Sequence, residues 1–328
     1  MEKISEKLLN FLVHNGEHPK SLKVLDEEAS TRKYFRVSYE KEDLILCIDE
    51  NFKKSSENFI EIQGFLKEKN ICVPEIIQVI KEENALLLSD EGEFDLTSVR
   101  DEKEFADKLK EAMDILLNLQ KLTPIESVKS KSFDVEKFTF ELNFLLSAYK
   151  KFQTNFYFDF PIGFEVIRFL ETVNNYLAIY EEKVTCHRDF HSRNLLLNSR
   201  GTLSVIDFQD MMMGTPQYDL VSILYDAYRP ISKKIRIESF EYFRSLSSHS
   251  GKKFKEVFFT QALQRSFKAL GTYIFQFNEN GKSKYRQSIL NCLDNLDEII
   301  ELDFFPDSLH LFITGLKDHL KESEAFNV

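Results

Sequence analysis

The stretch "TCHRDFHSRNLLL" (Thr185–Leu197) places two histidines, two arginines, an aspartate and an asparagine between two apolar runs. The segments "EKVTC" before it and "NLLLN" after it have strand-like composition, as does "TLSVIDFQD" beyond the polar turn "SRG". The polar side chains are therefore expected in a loop that is held by strands at both ends. Such a scaffold fixes side chains well enough for catalysis.

Three oxygen-bearing side chains have the spacing of a phosphoryl-transfer site. Asp189 and Asn194 are five positions apart, and Asp207 follows thirteen positions later at the end of an apolar strand. Kinases use a carboxylate that orients the attacking hydroxyl and accepts its proton, with an Asn and an Asp that hold Mg²⁺ against the nucleotide phosphates. Both metal ligands must be hard oxygens. The spacing predicts Asp189 as the catalytic residue, Asn194 and Asp207 as Mg²⁺ ligands, and ATP as the phosphoryl donor.

The composition is that of a globular protein without a nucleic-acid surface. The chain has 328 residues, of which 43% are hydrophobic and 30% charged, and its net charge is −11. Nucleic-acid binding would need clustered Lys and Arg. The four cysteines show no metal-ligand spacing, so they are expected to be free thiols in a reducing compartment. Because neither a signal peptide nor an apolar run of about 18 residues is found, we expect a cytoplasmic protein with no membrane partner. No obligate protein partner is evident from the sequence.

The order of predicted elements indicates a two-lobed α+β fold. Five strand-like segments, from "SLKVLD" to "ALLLSD", precede residue 90, with the helical segment "SENFIEIQGFLKEKN" among them. Helical periodicity then recurs near 103–121, 133–151 and 163–182, and again after the loop to the end of the chain. We predict an N-terminal nucleotide-binding lobe over 1–90, a small antiparallel sheet with one packed helix. Residues 91–328 are predicted to form a mainly helical C-terminal lobe with the catalytic loop and the acceptor-binding helices.

Two stretches resemble the aminoglycoside phosphotransferase and choline kinase superfamily, whose members share a protein-kinase-like fold. They are "HRDFHSRNLL" and "VIDFQDMMMGTPQYDLVSIL". His191 stands two residues after Asp189, where protein Ser/Thr kinases usually carry Lys, and this favours a small-molecule acceptor. The resemblance also implies that His187 braces the loop and that Asp219 supports the loop and the start of the next helix.

A narrower resemblance is to the bacterial anomeric kinases of N-acetylmuramate and N-acetylglucosamine. The segment "ASTRKYFRV" (Ala29–Val37) is similar to one in these enzymes, and "VIDFQD", "DAY" and "QRSFKALGTYIF" follow in the same order. The resemblance covers most of the chain, from about Asp26 to Leu296. It implies transfer of the γ-phosphoryl group of ATP to the anomeric hydroxyl of one or both amino sugars, in peptidoglycan recycling.

The phosphate-binding end departs from the usual kinase pattern. Cys47 or Ile48 stands where kinases carry a strand lysine that contacts the α- and β-phosphates, and no G-x-G-x-x-G loop is present. The amino-sugar kinases resembled here also tend to lack this lysine. We expect the nucleotide phosphates to be held by four consecutive residues: Ser30, Thr31, Arg32 and Lys33. For the two basic residues, charge on the strand surface is the open alternative.

The remaining contacts with the nucleotide are expected at the hinge between the lobes, Leu86–Leu96. Its backbone near Ser89, Asp90 and Glu91 would pair with the adenine edge. Because the backbone would make the contacts with adenine, the identity of the side chains at these positions cannot test the prediction.

Four polar residues are candidates for acceptor binding: His191, Arg193, Asp210 and Arg265. Arg265 is included because muramate carries a lactyl carboxylate that a guanidinium can hold in a bidentate manner. A surface ion pair is the alternative for Arg265. Asp210 either contacts sugar hydroxyls or caps the turn that follows it.

Other acceptors and another class of protein remain open from the sequence. Aminoglycosides, choline or ethanolamine, and homoserine are acceptors within the same superfamily. Choline-type sites favour aromatic cages that include Trp, and this chain has none. A pseudokinase that binds nucleotide without turnover is the alternative of another class, and the missing strand lysine is its support.

Overall fold

The computed structural model describes residues 5–25, 32–301, 305–323 and 326. Backbone contacts divide the chain into two compact units. The first comprises residues 1–95 and 194–210, and the second comprises residues 96–193 and 211–328. The segment Asn194–Asp210, which the sequence places in the C-terminal lobe, therefore packs with the first unit. No helix among the described residues is long and apolar enough to cross a membrane.

Strands form one larger sheet and two short antiparallel pairs. The larger sheet is five-stranded and antiparallel, in the order β1-β2-β3-β5-β4, and the short pairs are β6 with β9 and β7 with β8. The strands are β1 (Ser21–Val24), β2 (Arg32–Ser38), β3 (Asp43–Asp49), β4 (Ile76–Ile80), β5 (Ala85–Ser89), β6 (Val184–Cys186), β7 (Leu195–Leu197), β8 (Leu203–Val205) and β9 (Met212–Gly214).

Helices make up most of the chain after residue 100. Together with the sheet before residue 90, they confirm the predicted α+β architecture. The helices are α1 (Glu6–Phe11), α2 (Phe52–Glu68), α3 (Glu102–Gln120), α4 (Glu126–Lys129), α5 (Val135–Asn155), α6 (Phe164–Ile179), α7 (Tyr218–Leu224), α8 (Lys233–Leu246), α9 (Phe254–Asn278), α10 (Tyr285–Ile300) and α11 (Asp307–Glu322).

The larger sheet has two chemically different faces. β2 and β3 pair along their whole length, and strand alternation sends neighbouring side chains to opposite faces. One face buries Phe35, Val37 and Leu46 against Leu8 and Leu12 at α1. The burial of such apolar side chains stabilises the fold by about 1.5–3 kcal/mol each. The other face is more polar.

That polar face is set by the register of β2 against β3. Arg32 lies opposite Asp49, and Tyr34 lies opposite Cys47, so all four residues share one side of the sheet. Lys33 lies opposite Ile48, and the alternation of side chains along the strand sends it to the other face of the sheet. The register therefore separates the two basic residues that the sequence grouped together.

The hairpin of β7 and β8 is joined to the first unit by backbone hydrogen bonds. The N–H of Leu197 donates to the carbonyl of Phe94 at 2.8 Å, and the N–H of Val205 donates to the carbonyl of Cys72 at 2.8 Å. Gly92 permits a close approach here, since its φ is +115° and an added Cβ would lie 2.6 Å from the carbonyl oxygen of Leu197. These contacts explain why the hairpin belongs to the first unit.

In the second unit, α9 is the central helix and packs against α5, α7 and α10. Its predicted apolar stripe, which includes Leu263, Phe267 and Ile274, is buried. At Gly271 an added Cβ would lie 2.9 Å from the Cα of Leu145 on α5, so the close contact of these two helices depends on glycine. The stripe is a core face, as its spacing predicted.

Candidate active site

The loop that follows β6 is held by a buried carboxylate from α7. Asp219 accepts hydrogen bonds from the backbone N–H of His187 at 2.6 Å and of Arg188 at 3.0 Å. Arg188 has a φ of 81°, in the left-handed region that residues other than glycine rarely adopt. Burial raises the pKa of Asp219 to about 6. Its two backbone contacts agree with the supporting role that the resemblance implied.

A second buried carboxylate, Asp226, holds the other end of the loop. It accepts hydrogen bonds from the backbone N–H of Ser192 at 2.8 Å and from the hydroxyl of the same residue. It also accepts one from the backbone N–H of Tyr228 at 2.7 Å. Burial raises the pKa of Asp226. Sequence reasoning missed this residue.

The Asp189 carboxylate lies between these two braces, beside two cations on α9. Its Oδ1 atom accepts from Nη2 of Arg265 at 3.2 Å and from Nζ of Lys268 at 3.3 Å. Burial opposes ionisation of Asp189, but Lys268 and Arg265 outweigh it and hold its pKa well below the usual range. The side chain is 28% exposed, so the ionised carboxylate is accessible.

Arg265 is engaged within the protein rather than on its surface. Besides Asp189, it donates from Nε to the hydroxyl of Ser222 at 2.8 Å and from Nη2 to the carbonyl of Arg188 at 3.1 Å. Its side chain is 9% exposed. The surface ion pair considered from the sequence is therefore wrong, because the guanidinium is buried and fastens α9 to the loop.

His191 and Arg193 both contact one aromatic ring, that of Tyr228. The guanidinium of Arg193 lies 3.8 Å from the ring centroid, and the imidazole of His191 makes an edge contact at 5.0 Å between centroids. Burial lowers the pKa of His191 to about 3, so its ring is neutral at pH 7. Its buried Nδ1 has no hydrogen-bond partner among the described residues.

The two predicted metal ligands are brought together by the hairpin in the first unit. The N–H of Ile206 donates to the carbonyl of Asn194 at 3.0 Å, which places Asp207 next to Asn194 despite the thirteen positions between them. Nδ2 of Asn194 lies 3.5 Å from Oδ2 of Asp207. The other oxygen, Oδ1, accepts from Nε2 of Gln209 at 2.7 Å. The φ of Asp207 is 63°, which is left-handed backbone at the end of the strand.

This pair is suited to a hard cation such as Mg²⁺. It offers one amide oxygen and one exposed carboxylate, both hard donors. Mg²⁺ usually takes one or two such protein ligands and completes its shell with waters and substrate phosphates. No group of three or more His, Cys, Asp or Glu side chains suited to a metal occurs in the described ranges.

Arg32 lies on the polar face of the sheet, the same face as Cys47, which is one of the two residues expected at the position of the strand lysine. Its Nε donates to Oδ2 of Asp49 at 2.9 Å, and both side chains are largely buried. Burial lowers the pKa of Arg32, but the hydrogen bond that Arg32 donates to Asp49 and its interactions with Tyr34 and Cys47 together outweigh this effect, so the guanidinium stays charged. Arg32, Cys47 and Asp49 line a small pocket with Phe52, Ser56, Phe59 and Leu86.

The other predicted phosphate contacts have different positions. Lys33 lies on the opposite face of the sheet, paired with Ile48. Ser30 and Thr31 lie outside the described residues.

The predicted adenine-binding segment is held by its own side chains. The Ser89 hydroxyl donates to Oε1 of Glu91 at 2.7 Å, and Asp90 forms an ion pair with Arg36. Oδ1 of Asp90 also accepts from the N–H of Gly92 at 2.9 Å. These contacts fix the backbone that was predicted to meet the adenine edge.

The structure brings the predicted residues together in pairs within each unit. Asn194 pairs with Asp207 in the first unit, where Asp210 also lies in an exposed turn. In the second unit, Asp189 meets Arg265, and His191 and Arg193 share one ring. Sequence reasoning assigned no role to Asp49, Asp226, Tyr228 or Lys268. Asp226 and Tyr228 belong to the "DAY" segment and Lys268 to "QRSFKALGTYIF", so the resemblance had marked these segments without giving the residues a function.

Comparison with known proteins identifies relatives over most of the chain. An N-acetylmuramate/N-acetylglucosamine kinase of Neisseria meningitidis is 28% identical over 286 residues, which is 83% of each chain. A protein of the same name from Pseudomonas putida is 24% identical over 306 residues, 87% of this chain and 85% of the relative.

Solved structures share the fold at lower identity. ADP-bound aminoglycoside phosphotransferase APH(2″)-Ib has a TM-score of 0.58 at 16% identity, with 89% of this chain and 97% of that chain covered. A choline kinase from Streptococcus pneumoniae has a TM-score of 0.60 at 11% identity, with 90% and 97% covered. These likenesses establish the protein-kinase-like fold and leave the acceptor open. The profile of the phosphotransferase enzyme family (APH) matches residues 21–248, and this chain is therefore a member of that family.

Proposed function

We propose that this phosphotransferase is an ATP- and Mg²⁺-dependent sugar kinase. It transfers the γ-phosphoryl group to the anomeric hydroxyl of N-acetylmuramate, N-acetylglucosamine or both, as a step in cell-wall recycling. The observation that carries the proposal is the ionised, accessible carboxylate of Asp189, held by Lys268 and Arg265 in a loop that Asp219 and Asp226 brace. The names of the relatives supply the acceptor.

Asp189 is the proposed base. Its carboxylate orients the attacking hydroxyl of the sugar and takes its proton as the bond to phosphorus forms. An ionised carboxylate is needed for this, and the two cations on α9 keep it ionised. They also make it a weak base, which suits a hydroxyl that loses its proton late in the reaction.

Asn194 and Asp207 are the proposed Mg²⁺ ligands. When bound, Mg²⁺ offsets the negative charge of the nucleotide phosphates during transfer. The hairpin fixes the two side chains beside each other, and Gln209 orients the Asp207 carboxylate. The left-handed backbone at Asp207 is a strained position of the kind that proteins retain at functional sites.

Arg32 is the proposed replacement for the missing strand lysine. It lies on the same face of the sheet as Cys47, and its charge is stabilised by Asp49. Lys33 points to the other face, which makes Arg32 the better candidate of the two. Ser30 and Thr31 stay candidates for phosphate contacts. The adenine contacts are proposed for the backbone of 89–91.

The acceptor is proposed to meet His191, Arg193 and Asp210. A neutral His191 ring can exchange hydrogen bonds with sugar hydroxyls. Arg193 is stacked on Tyr228, which fixes the plane of its donors. Arg265, which was first considered for direct acceptor binding, is better supported as the residue that positions Asp189.

The experiment is ADP release with Mg²⁺–ATP and one of five acceptors: N-acetylmuramate, N-acetylglucosamine, kanamycin, choline or homoserine. Stimulation by an amino sugar alone supports the proposal, and stimulation only by another acceptor contradicts it. ATP binding without ADP release for any acceptor would indicate the pseudokinase alternative. The hydroxyl is identified by a reducing-sugar assay on the product. Phosphorylation at the anomeric position removes the reducing end, whereas phosphorylation at any other hydroxyl preserves it.

A further inference from the structure

Three tyrosines from different parts of the second unit meet near the catalytic loop, and we refer to them as the tyrosine cluster. Tyr228 follows α7, Tyr273 lies on α9, and Tyr285 is the first residue of α10. Tyr273 contacts both of the other rings, at 5.3 Å from Tyr228 and 5.9 Å from Tyr285 between centroids. Tyr273 and Tyr285 are buried. The cluster is therefore a preformed aromatic surface.

The guanidinium of Arg193 lies against two rings of this cluster. Its central carbon is 3.8 Å from the ring centroid of Tyr228 and 5.9 Å from that of Tyr285. The face of an aromatic ring attracts a cation, and most strongly where water is excluded. The buried Asp226 carboxylate also interacts with this guanidinium: burial raises the pKa of Asp226, and Arg193 is one of the groups that lower it. Two rings and a carboxylate thus form a cation site that a side chain of the protein fills.

This site borders the part of the loop that is proposed to meet the acceptor. His191 stands two residues after Asp189, and its ring makes an edge contact with Tyr228 at 5.0 Å between centroids. A cationic acceptor at this place would find the nearest ring already covered by Arg193. It would also be repelled by the charge of the guanidinium, and such repulsion is a common source of specificity.

We propose that Arg193 fills a cation site formed by the tyrosine cluster and thereby excludes cationic acceptors from the enzyme. The inference rests on the proposed function only in placing the acceptor at this loop. The chain lacks the Trp of choline-type sites, but tyrosines supply ring faces in its place. Because Arg193 is tethered to the loop, its effective concentration at the rings is high, and a free cation displaces it poorly.

The test is choline binding, measured by isothermal titration calorimetry, to wild type, Arg193→Ala and Lys284→Met. Arg193→Ala empties the site, so we expect it to bind choline at least about tenfold more tightly than wild type. Dimethylbutanol, the neutral carbon analogue of choline, should show no such gain. Lys284→Met is the matched control, because the exposed Lys284 lies 5.9 Å from the Tyr285 centroid. It removes a positive charge from the same ring and leaves Arg193 in place.

Three results would overturn the inference. Equal choline affinity in wild type and Arg193→Ala would mean that the cluster is not a cation site. An equal gain for dimethylbutanol would mean that the substitution had only created space. An equal gain in Lys284→Met would mean that any loss of positive charge has the same effect. If Arg193→Ala does not fold, Arg193→Gln takes its place, since it also removes the charge and should change choline affinity in the same direction.

A competition measurement separates this inference from the function on which it rests. N-acetylglucosamine, at a concentration that saturates Arg193→Ala, should weaken its binding of choline. If wild type phosphorylates this sugar but the sugar leaves choline binding unchanged, the cluster lies apart from the acceptor and the inference alone is overturned. If ADP release shows that neither amino sugar is a substrate, the proposed function fails. The gain in choline affinity then still decides whether Arg193 fills a cation site.

Discussion

Replacement of Asp189 by Asn should separate the chemical role of this carboxylate from its structural one. Asparagine has the same shape, but it can neither accept the proton of the sugar hydroxyl nor carry charge. We expect turnover to fall by at least about 10²-fold, the usual contribution of a positioned base. The measurement is ADP release at saturating Mg²⁺–ATP and saturating sugar.

The effect on stability follows from the contacts of Oδ1. Asp189 accepts one hydrogen bond from Arg265 and one from Lys268, at 3.2 and 3.3 Å. A hydrogen bond to a charged group contributes about 1.5–3 kcal/mol, and partial exposure of the carboxylate reduces this. Because the amide oxygen of Asn can still accept these bonds but carries no charge, we expect a loss of about 1–2 kcal/mol in the free energy of unfolding, measured by urea denaturation.

The pH dependence of this loss has a definite sign. The pKa of Asp189 is lowered in the folded state, so its ionised form stabilises the protein above the ordinary value of 3.8. This contribution is lost as the pH falls through the lower folded-state pKa. The difference in stability between wild type and Asp189→Asn should therefore be largest near pH 7 and shrink on acidification.

Two results would refute the reasoning. An Asp189→Asn enzyme with wild-type turnover would exclude Asp189 as the base. A stability difference that grows as the pH falls would contradict the assignment of its charge. The matched control is Asp318→Asn, an exposed aspartate on α11, which should leave both turnover and stability unchanged.

Three further changes test other parts of the site. Arg32→Met should raise KM for ATP about tenfold with little change in KM for the sugar, because it removes the proposed phosphate contact beside Asp49; steady-state kinetics measure this. Asp207→Asn should raise the Mg²⁺ concentration for half-maximal turnover about tenfold or more, measured by Mg²⁺ titration. Gly92→Ala should lower the free energy of unfolding by at least about 1 kcal/mol, measured by urea denaturation, since its Cβ would clash with the Leu197 carbonyl.

Each of these predictions can fail on its own. An unchanged KM for ATP in Arg32→Met would mean that Arg32 does not contact the phosphates, and Lys33 or residues 30–31 would become the candidates. A Mg²⁺ titration that is unaltered in Asp207→Asn would remove that residue from the metal site. Wild-type stability in Gly92→Ala would contradict the close approach at Leu197. Gly251→Ala is the control for the last, because the space around Gly251 is open.

The sequence predicted the strands and most helices of this fold closely. The segment "IIQVI" is a strand over the predicted residues, and the helix predicted near 103–121 is Glu102–Gln120. These elements have regular apolar periodicity, and the helix has a clear cap, where Asp101 accepts from the N–H of Glu104 at 2.8 Å. The short strand Met212–Gly214 was not predicted, because three residues are too few to show a period.

Contacts between residues that lie far apart in the chain could not be predicted from the sequence. Asp226 braces the loop from 34 positions away. It begins the "DAY" segment of the resemblance, but no local pattern indicates that its carboxylate contacts this loop. The pairing of Arg32 with Asp49 depends on strand register, which the sequence did not fix. Lys268 was overlooked because its helix was interpreted as a core stripe. Residues that meet through local spacing were found, and those that meet through tertiary packing were not.

The two carboxylates that brace the catalytic loop affect how readily its side chains can be replaced to give a new specificity. Asp219 and Asp226 grip backbone N–H groups, which every residue except proline supplies, so the path of the loop does not depend on most of the side chains it carries. The two most promising positions for a library of variants are therefore 191 and 193, whose side chains project from a path that is already fixed. Such a library should retain folded members in high proportion, and the two braces should be left untouched. Few substitutions at these two positions should therefore be enough for the enzyme to accept a different acceptor.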